Sequence, residues 1–332
     1  MDLNIVKFIQ KANCAFLDGV NTIITVLGET SMFFMLFVAI YLCYKKEFAV
    51  KYYFFFILSG ITNSLFKNVF KRARPYTYDG VIDVRHTTGY SFPSGHSQNY
   101  ALQASLIGCE YFKNDKSKKH RIILGVSLGV VGLLVGLSRV YLGQHFLSDV
   151  LVGLLIGTIF GIGLELLFRI IPTKIKNKCT TKRVLIGCVP LVLVLLMLVE
   201  GFNVISGHTL EVFYTYLAIY LALMIGYSID SIYIKYSEHA VWYIQVFKIF
   251  LAGIGIVGLS FAFSWIKIEL VKNFVFYFTS TLYVTLGLPT LFKFLLKEKP
   301  KKEVKENELV VENDTELVLE NNNENTEEQI EK

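Results

Sequence analysis

Three short polar stretches interrupt an otherwise apolar chain: KNVFKRARPY (Lys67 to Tyr76), PSGH (Pro93 to His96) and SRVYLGQHFLSD (Ser138 to Asp149). Their residue types suit a phosphoryl group. Lys67, Arg74 and Arg139 are cations with few acids nearby, and guanidinium groups match phosphate oxygens in bidentate fashion. Pro93 fixes the approach to a helix that opens at Ser94, Gly95 and His96. The free N–H groups and positive dipole end of that first turn favour an anion. Gly95 lets the backbone come close to a ligand.

Imidazole is largely uncharged near neutral pH and is then a nucleophile. His145 and Asp149 are four residues apart at the start of a helix, hence on one face. A carboxylate so placed can accept the ring N–H, fix the tautomer and stabilise the cation formed on attack. His96, on another helix, could protonate the leaving oxygen. The expected catalytic residues are therefore His145, His96 and Asp149. The expected phosphate binders are Lys67, Arg74, Ser94, Gly95 and Arg139. No HExxH, DxDxDG or paired-cysteine arrangement asks for a metal, and no cofactor is expected. Taken singly, Lys67 and Arg74 could snorkel to lipid headgroups, and either histidine could be structural. The coincidence of three clusters is what points to a site.

These residues must be positioned by helices. The chain has 332 residues, 53% of them hydrophobic, with mean hydropathy +0.49, which is too apolar for a water-soluble domain of this length. Spanning helices are expected near 20–44, 48–66, 95–112, 122–138, 146–171, 184–205, 211–229, 242–264 and 273–296. The fold class is all-α: a polytopic membrane bundle with a six-helix core over 20–205 and about three additional helices over 206–298. Residues 1–19 lack the features of a cleavable signal peptide. They are expected to lie on the membrane as an amphipathic helix, with Ile5, Phe8, Ile9, Ala12, Phe16 and Leu17 on its apolar face. Residues 299–332 read as a disordered tail: after Lys302, eleven acids face two lysines.

Lysines and arginines crowd the first, third and fifth connections, which the positive-inside rule puts in the cytoplasm. All three polar clusters then fall together on the extracytoplasmic side, and the tail is cytoplasmic. The helical spacing of Gly125, Gly129, Gly132 and Gly136, and of Gly153, Gly157 and Gly161, predicts close packing of the helix ending at Arg139 on the helix beginning at His145. Tyr52 to Phe56 are expected to face lipid or a membrane interface. Tyr76 and Tyr78 are candidates for the wall of the site. The scattered cysteines read as small buried apolar residues, and the charges His208, Glu211, Asp230, Glu238 and His239 as solvated residues near loops.

The three blocks in order, Lys67–x6–Arg74–Pro75, then Pro93–Ser94–Gly95–His96, then Ser138–Arg139–x5–His145–x3–Asp149, resemble the full signature of the type 2 phosphatidic acid phosphatase superfamily, over roughly residues 1–172. The resemblance implies a metal-independent membrane lipid phosphate phosphatase with a six-helix core. In it His145 becomes a phosphohistidine, Asp149 orients it, and His96 acts first as acid and then as base. The implied partners are a lipid phosphate substrate (undecaprenyl pyrophosphate, phosphatidic acid or phosphatidylglycerol phosphate) and membrane lipids, with no role for nucleic acid. A phosphotransferase would use the same residues, and a transporter is a further reading of the extra helices.

Overall fold

Inside hydrocarbon a backbone must satisfy its own N–H and C=O groups, so long apolar segments form helices. The computed structural model describes residues 2–115, 117–170 and 207–296, and no strand occurs among them. The helices are α1 (Asp2–Gln10), α2 (Ala15–Val26), α3 (Thr30–Cys43), α4 (Lys46–Phe70), α5 (Gly95–Asn114), α6 (Lys118–Tyr141), α7 (Leu147–Ile170), α8 (Gly207–Ile229), α9 (Trp242–Ala262), α10 (Glu269–Leu282) and α11 (Leu288–Leu296). The expected sixth span, 184–205, and the acidic tail lie outside the described residues, as do Cys179 and Cys188.

Five described helices are long and apolar enough to cross a membrane, and a bent pair makes up to six. The chain is a multi-pass membrane protein. The bent pair is α2 and α3, which meet at 45° where one span over 20–44 was expected. The break falls at Gly28. A Cβ there would run into the backbone of His96, within 2.9 Å of its Cα. Helices α4 and α5, also expected to span, fall outside the five. They are enclosed by protein. Helix α4 buries Tyr52, Tyr53, Phe54, Phe55 and Phe56, so this aromatic run is core and faces neither lipid nor an interface. Helix α5 buries Gln98, Gln103 and Glu110. A helix shielded from lipid can carry such polar groups, provided that they are hydrogen-bonded.

The amphipathic segment expected over 1–19 divides into α1 and the start of α2. Val6 is buried against Val140, Phe146 and Val150, and Gln10 bridges the chain carbonyls of Ile82 (2.8 Å) and Tyr141 (2.9 Å). Helix α1 is thus docked on the loops around His145, while Phe8 and Phe16 stay exposed. Cys14, just before α2, is exposed too, unlike the buried residue expected.

The glycines of α7 pack on α5 rather than chiefly on α6. A Cβ on Gly153 would lie 2.5 Å from the Ser94 carbonyl oxygen, and one on Gly157 would lie 3.0 Å from the Gln98 carbonyl carbon. The α6 series divides: Gly132 and Gly136 meet Tyr100 and Val150, whereas Gly125 and Gly129 meet nothing within 4 Å. The tight seam therefore joins the helix that carries His96 to the helix that follows His145. Gly157→Ala is expected to lower stability by about 1–3 kcal/mol through overpacking, read as earlier thermal unfolding in detergent. Gly129→Ala, with open space around it, is expected to cost nothing. Equal melting of the two variants would refute the seam.

The added helices are built into the core. The Tyr216 ring of α8 covers Gly60 of α4. Asp230, expected to be solvated, is fully buried instead, paired with Lys46 at 2.9 Å and accepting from the Tyr41 hydroxyl at 3.1 Å.

Candidate active site

The segment between α4 and α5 is shaped by hydrogen bonds from the sequence blocks themselves. The α4 helix ends in a left-handed residue, Lys71 (φ 45°). Arg74 then spends its donors on carbonyls: Nε on Gly89 (2.8 Å), Nη2 on Thr88 (2.8 Å) and Nη1 on Gln144 (3.2 Å). Ser94 caps α5 by accepting from the Ser97 N–H, and its own N–H donates to the Asp149 carbonyl at 3.0 Å. Arg74 and Ser94 thus help to hold the scaffold together, in addition to the phosphate contact expected of both. The turn from α6 to α7 passes through Gly143 (φ +75°), a left-handed position that favours glycine. There the Gly143 carbonyl accepts from the Tyr76 N–H at 3.1 Å.

These restraints set His145 beside Arg74 and Asp149. The His145 ring is buried. Its Nε2 is 3.4 Å from Nη1 of Arg74, and its Nδ1 is 3.7 Å from Oδ2 of Asp149. A guanidinium can only donate, so the Nε2 facing it is the unprotonated nitrogen and Nδ1 carries the proton. Burial, and then the charges of Arg139 and Arg74, push the His145 pKa well below the ordinary imidazole value, which keeps the ring neutral. Asp149 is itself held: Oδ2 accepts from the Phe146 N–H (2.9 Å) and Oδ1 from Arg72 (2.7 Å). Its Oδ2 lies beyond hydrogen-bonding distance of Nδ1, at 3.7 Å.

A cavity of about 840 Å³ opens beside this group, lined by Lys67, Gly95, His96 and Arg139 among others. Arg139 is fully buried. Its Nη1 donates to the Thr25 hydroxyl at 3.0 Å, but Nε and Nη2 have no hydrogen-bond partner among the described residues. Those two N–H groups form one edge of the guanidinium fork, the geometry that grips two oxygens of an oxyanion. His96 lies within electrostatic range of Arg139, His145 and Lys67. A Cβ on Gly95 would meet only Asn63, at an ordinary 3.5 Å, so protein packing alone does not require glycine there.

Among the expected residues, Lys67, Gly95, His96 and Arg139 line the cavity, while Arg74, His145, Asp149 and Ser94 form one contiguous group that is not part of its lining. Tyr76 does not line the cavity; its hydroxyl donates to the Thr87 carbonyl, and Tyr78 is exposed. Sequence reasoning noted Arg72 and Arg85 only as cations of the basic connection between the second and third spans and gave them no role; Arg72 clamps Asp149 and also pairs with Asp2 of α1 at 3.0 Å. It missed Thr25 and Glu29 altogether. Nothing in their spacing marks them, because they reach the site only through the bend of α2 on α3 and the path of the 71–94 loop.

The family model described as the PAP2 superfamily matches residues 48–176, which hold all three blocks. Over 160 residues the chain is 34% identical to phosphatidylglycerophosphatase B of Bacillus subtilis, spanning 47% of this chain and 74% of that protein. The chain belongs to the PAP2 superfamily. A second PAP2 model, the superfamily phosphatase transmembrane extension, matches residues 214–300 and so covers the helices beyond the core. Other PAP2 relatives are the dolichyldiphosphatase of Saccharomyces cerevisiae (28% identical, 32% of this chain and 45% of that one) and the undecaprenyl-diphosphatase BcrC of Bacillus subtilis (33% identical, 30% and 48%). Of these two the chain spans less than half. Among solved structures, the Bacillus subtilis PAP2-type phosphatidylglycerolphosphate phosphatase aligns with a TM-score of 0.45 at 30% identity, over 52% of this chain and 86% of that one.

Proposed function

We propose that this PAP2 member hydrolyses a lipid phosphate or diphosphate through a phosphohistidine at His145, with its site on the extracytoplasmic face of the membrane and the C-terminal tail in the cytoplasm. The observation that carries the reading is the convergence of Lys67, Gly95, His96 and Arg139 on one cavity, with two N–H groups of Arg139 unpaired among the described residues and the His145–Asp149 pair within electrostatic range of Lys67 and Arg139. An oxyanion seated there meets Arg139, Lys67 and the N–H groups of Gly95 and His96, which precede the first intrahelical bond of α5.

His145 Nε2 then forms a bond to phosphorus as the ester P–O bond breaks. His96 gives its proton to the departing oxygen, and the carboxylate of Asp149 stabilises the imidazolium. In the second half His96 removes a proton from water, the water oxygen attacks phosphorus, and the P–N bond breaks to release phosphate. The residues of this cycle supply nucleophile, acid and base by themselves, so it runs without a metal. The lipid is bound in part by the extension: Val212 and Tyr216 of α8 line the same cavity as His96. The relatives are lipid phosphatases of several substrates, which agrees with a shared phosphoryl end and a variable wall. The test is phosphate release from phosphatidic acid and undecaprenyl diphosphate by the purified protein. Activity within about twofold of control in excess EDTA is expected, since metal would contribute none of the roles above. Failure to release phosphate from any lipid phosphate would overturn the reading.

A further inference from the structure

Resting on the phosphatase reading, we propose that the N-terminal helix α1 is a working part of the active site: Asp2 holds Arg72 against Asp149, so that Asp2 and Arg72 are positioning residues for the nucleophilic His145. Neither is a signature position. Asp2 opens α1, and Arg72 fills one of the six unspecified places between Lys67 and Arg74. The link is a chain of direct contacts. Asp149 is fully buried, and a buried carboxylate is costly without a charged partner. Nη1 of Arg72 supplies that partner, donating to Oδ1 of Asp149 at 2.7 Å. The other arm of the same guanidinium faces α1, where Nη2 donates to Oδ2 of Asp2 at 3.0 Å. This Asp2 oxygen also accepts from the Ser148 hydroxyl, whose own oxygen accepts from Nη1 of Arg72 at 2.7 Å. The guanidinium carbon lies 4.0 Å from the centre of the Phe146 ring. Asp2 and Arg72 thus grip Phe146, Ser148 and Asp149, all within the turn that follows His145.

Arg72 needs the second carboxylate. Its backbone is pinned, because the Ser91 N–H donates to its carbonyl at 2.9 Å. Its side chain is 32% exposed, however, and water competes for an ion pair so placed. Carboxylates on both arms of the fork fix its orientation. Burial would raise the Asp2 pKa, but hydrogen bonds from Ser148 and Arg72 outweigh it and hold the carboxyl below its ordinary value, so the anchor stays ionised. Helix α1 is seated on both segments that carry the site. Val6 packs in the cluster of Val140, Phe146 and Val150. Gln10 donates to the carbonyls of Ile82 and Tyr141 and accepts from the Ile82 N–H at 2.9 Å. When Nε2 of His145 attacks phosphorus, positive charge develops on the ring, and a charged, correctly placed Asp149 stabilises it. Arg72 keeps Asp149 paired and in place, and Asp2 keeps Arg72 there. Neither residue is among those lining the cavity, so both act on the chemistry and not on phosphate binding.

The experiment measures kcat, KM and thermal unfolding in the purified full-length protein, on whichever of phosphatidic acid and undecaprenyl diphosphate it hydrolyses faster. The variants are Asp2→Asn, Asp2→Glu, Arg72→Ala and the double variant Asp2→Asn with Arg72→Ala. Arg72→Ala is expected to lower kcat about 10–100-fold, the loss typical when the partner that orients a functional side chain is removed. Asp2→Asn should lower it about 3–10-fold, and Asp2→Glu should restore part of that. KM should stay within about twofold throughout. The double variant should match Arg72→Ala, because Asp2 works through Arg72. Added methylguanidinium should return activity to Arg72→Ala, which a general loss of fold would not allow. Wild-type kcat in Asp2→Asn, losses that multiply in the double variant, a raised KM, or activity lost only in step with earlier unfolding each overturns the proposal. Should Arg72→Ala not fold, the two Asp2 variants decide: equal rates in both overturn it. His145→Ala separates the two levels. If that variant still hydrolyses the lipid, the phosphatase reading falls; if it is inactive while the Asp2 and Arg72 variants keep wild-type kcat, only the positioning role falls.

Discussion

His145→Ala is expected to reduce kcat for lipid phosphate hydrolysis by about ten-thousandfold or more, because a nucleophile has no substitute in a covalent mechanism. KM should change little, since in the proposed site phosphate contact falls to Arg139, Lys67 and the start of α5, which line the cavity. Rapid acid-free quenching of the wild type with phosphorus-labelled lipid should leave label on the protein, stable in alkali and lost in acid, as a P–N bond requires. The alanine variant should hold none. Label retained by the variant, or residual activity of a tenth or more, would remove His145 from the nucleophile role. The pH profile supplies a further check on the same group. Burial and the neighbouring arginines lower the imidazole pKa, and the neutral ring is the reactive form. Activity should therefore persist as pH falls through the ordinary histidine range, and decline only below it.

Arg139→Lys is expected to be nearly as damaging as Arg139→Ala, with kcat/KM lower by about a thousandfold in each. The reason is geometric. The lysine retains the charge but presents a point cation, whereas Nε and Nη2 of the guanidinium offer two parallel donors to two oxygens. The Thr25 hydroxyl that anchors the far side of Arg139 accepts only from Nη1, so the free edge is directed and a flexible ammonium would not reproduce it. Because Arg139 is fully buried, the variants should be compared for thermal unfolding as well. A lysine variant with near wild-type kcat/KM would show that charge alone is enough there and would discard the bidentate argument.

How much of this was legible beforehand follows from what each residue does. The candidate locus was readable as a cluster because its residues are local in the chain: a helix start supplies PSGH, a four-residue spacing joins His145 to Asp149, and an end of α6 supplies Arg139. The helical class was readable because hydrophobic length dictates it. Misread positions were those whose environment is set by distant partners. Tyr52 to Phe56 read as lipid-facing because an aromatic run has the same composition in a protein core. Asp230 read as solvated because nothing in its own neighbourhood predicts Lys46. The glycines of α7 announced a tight seam but not the identity of the partner helix, since a stripe of small residues admits any surface that fits it.

Residue types and spacing, then, determined the three polar blocks, their gathering at one side of an all-helical membrane bundle, and the phosphoryl chemistry that they can perform. Those are short-range consequences of hydropathy, helical period and side-chain chemistry. Only the tertiary structure decided that Arg74 braces a loop while two N–H groups of Arg139 stay unpaired among the described residues, that Arg72 clamps Asp149, and that Arg85 and Glu29 come to the cavity from a loop and a helix bend. A hydrogen bond is specific to ångströms, and which donors are spent or left free depends on backbone carbonyls brought together from remote parts of the chain, which no local pattern encodes.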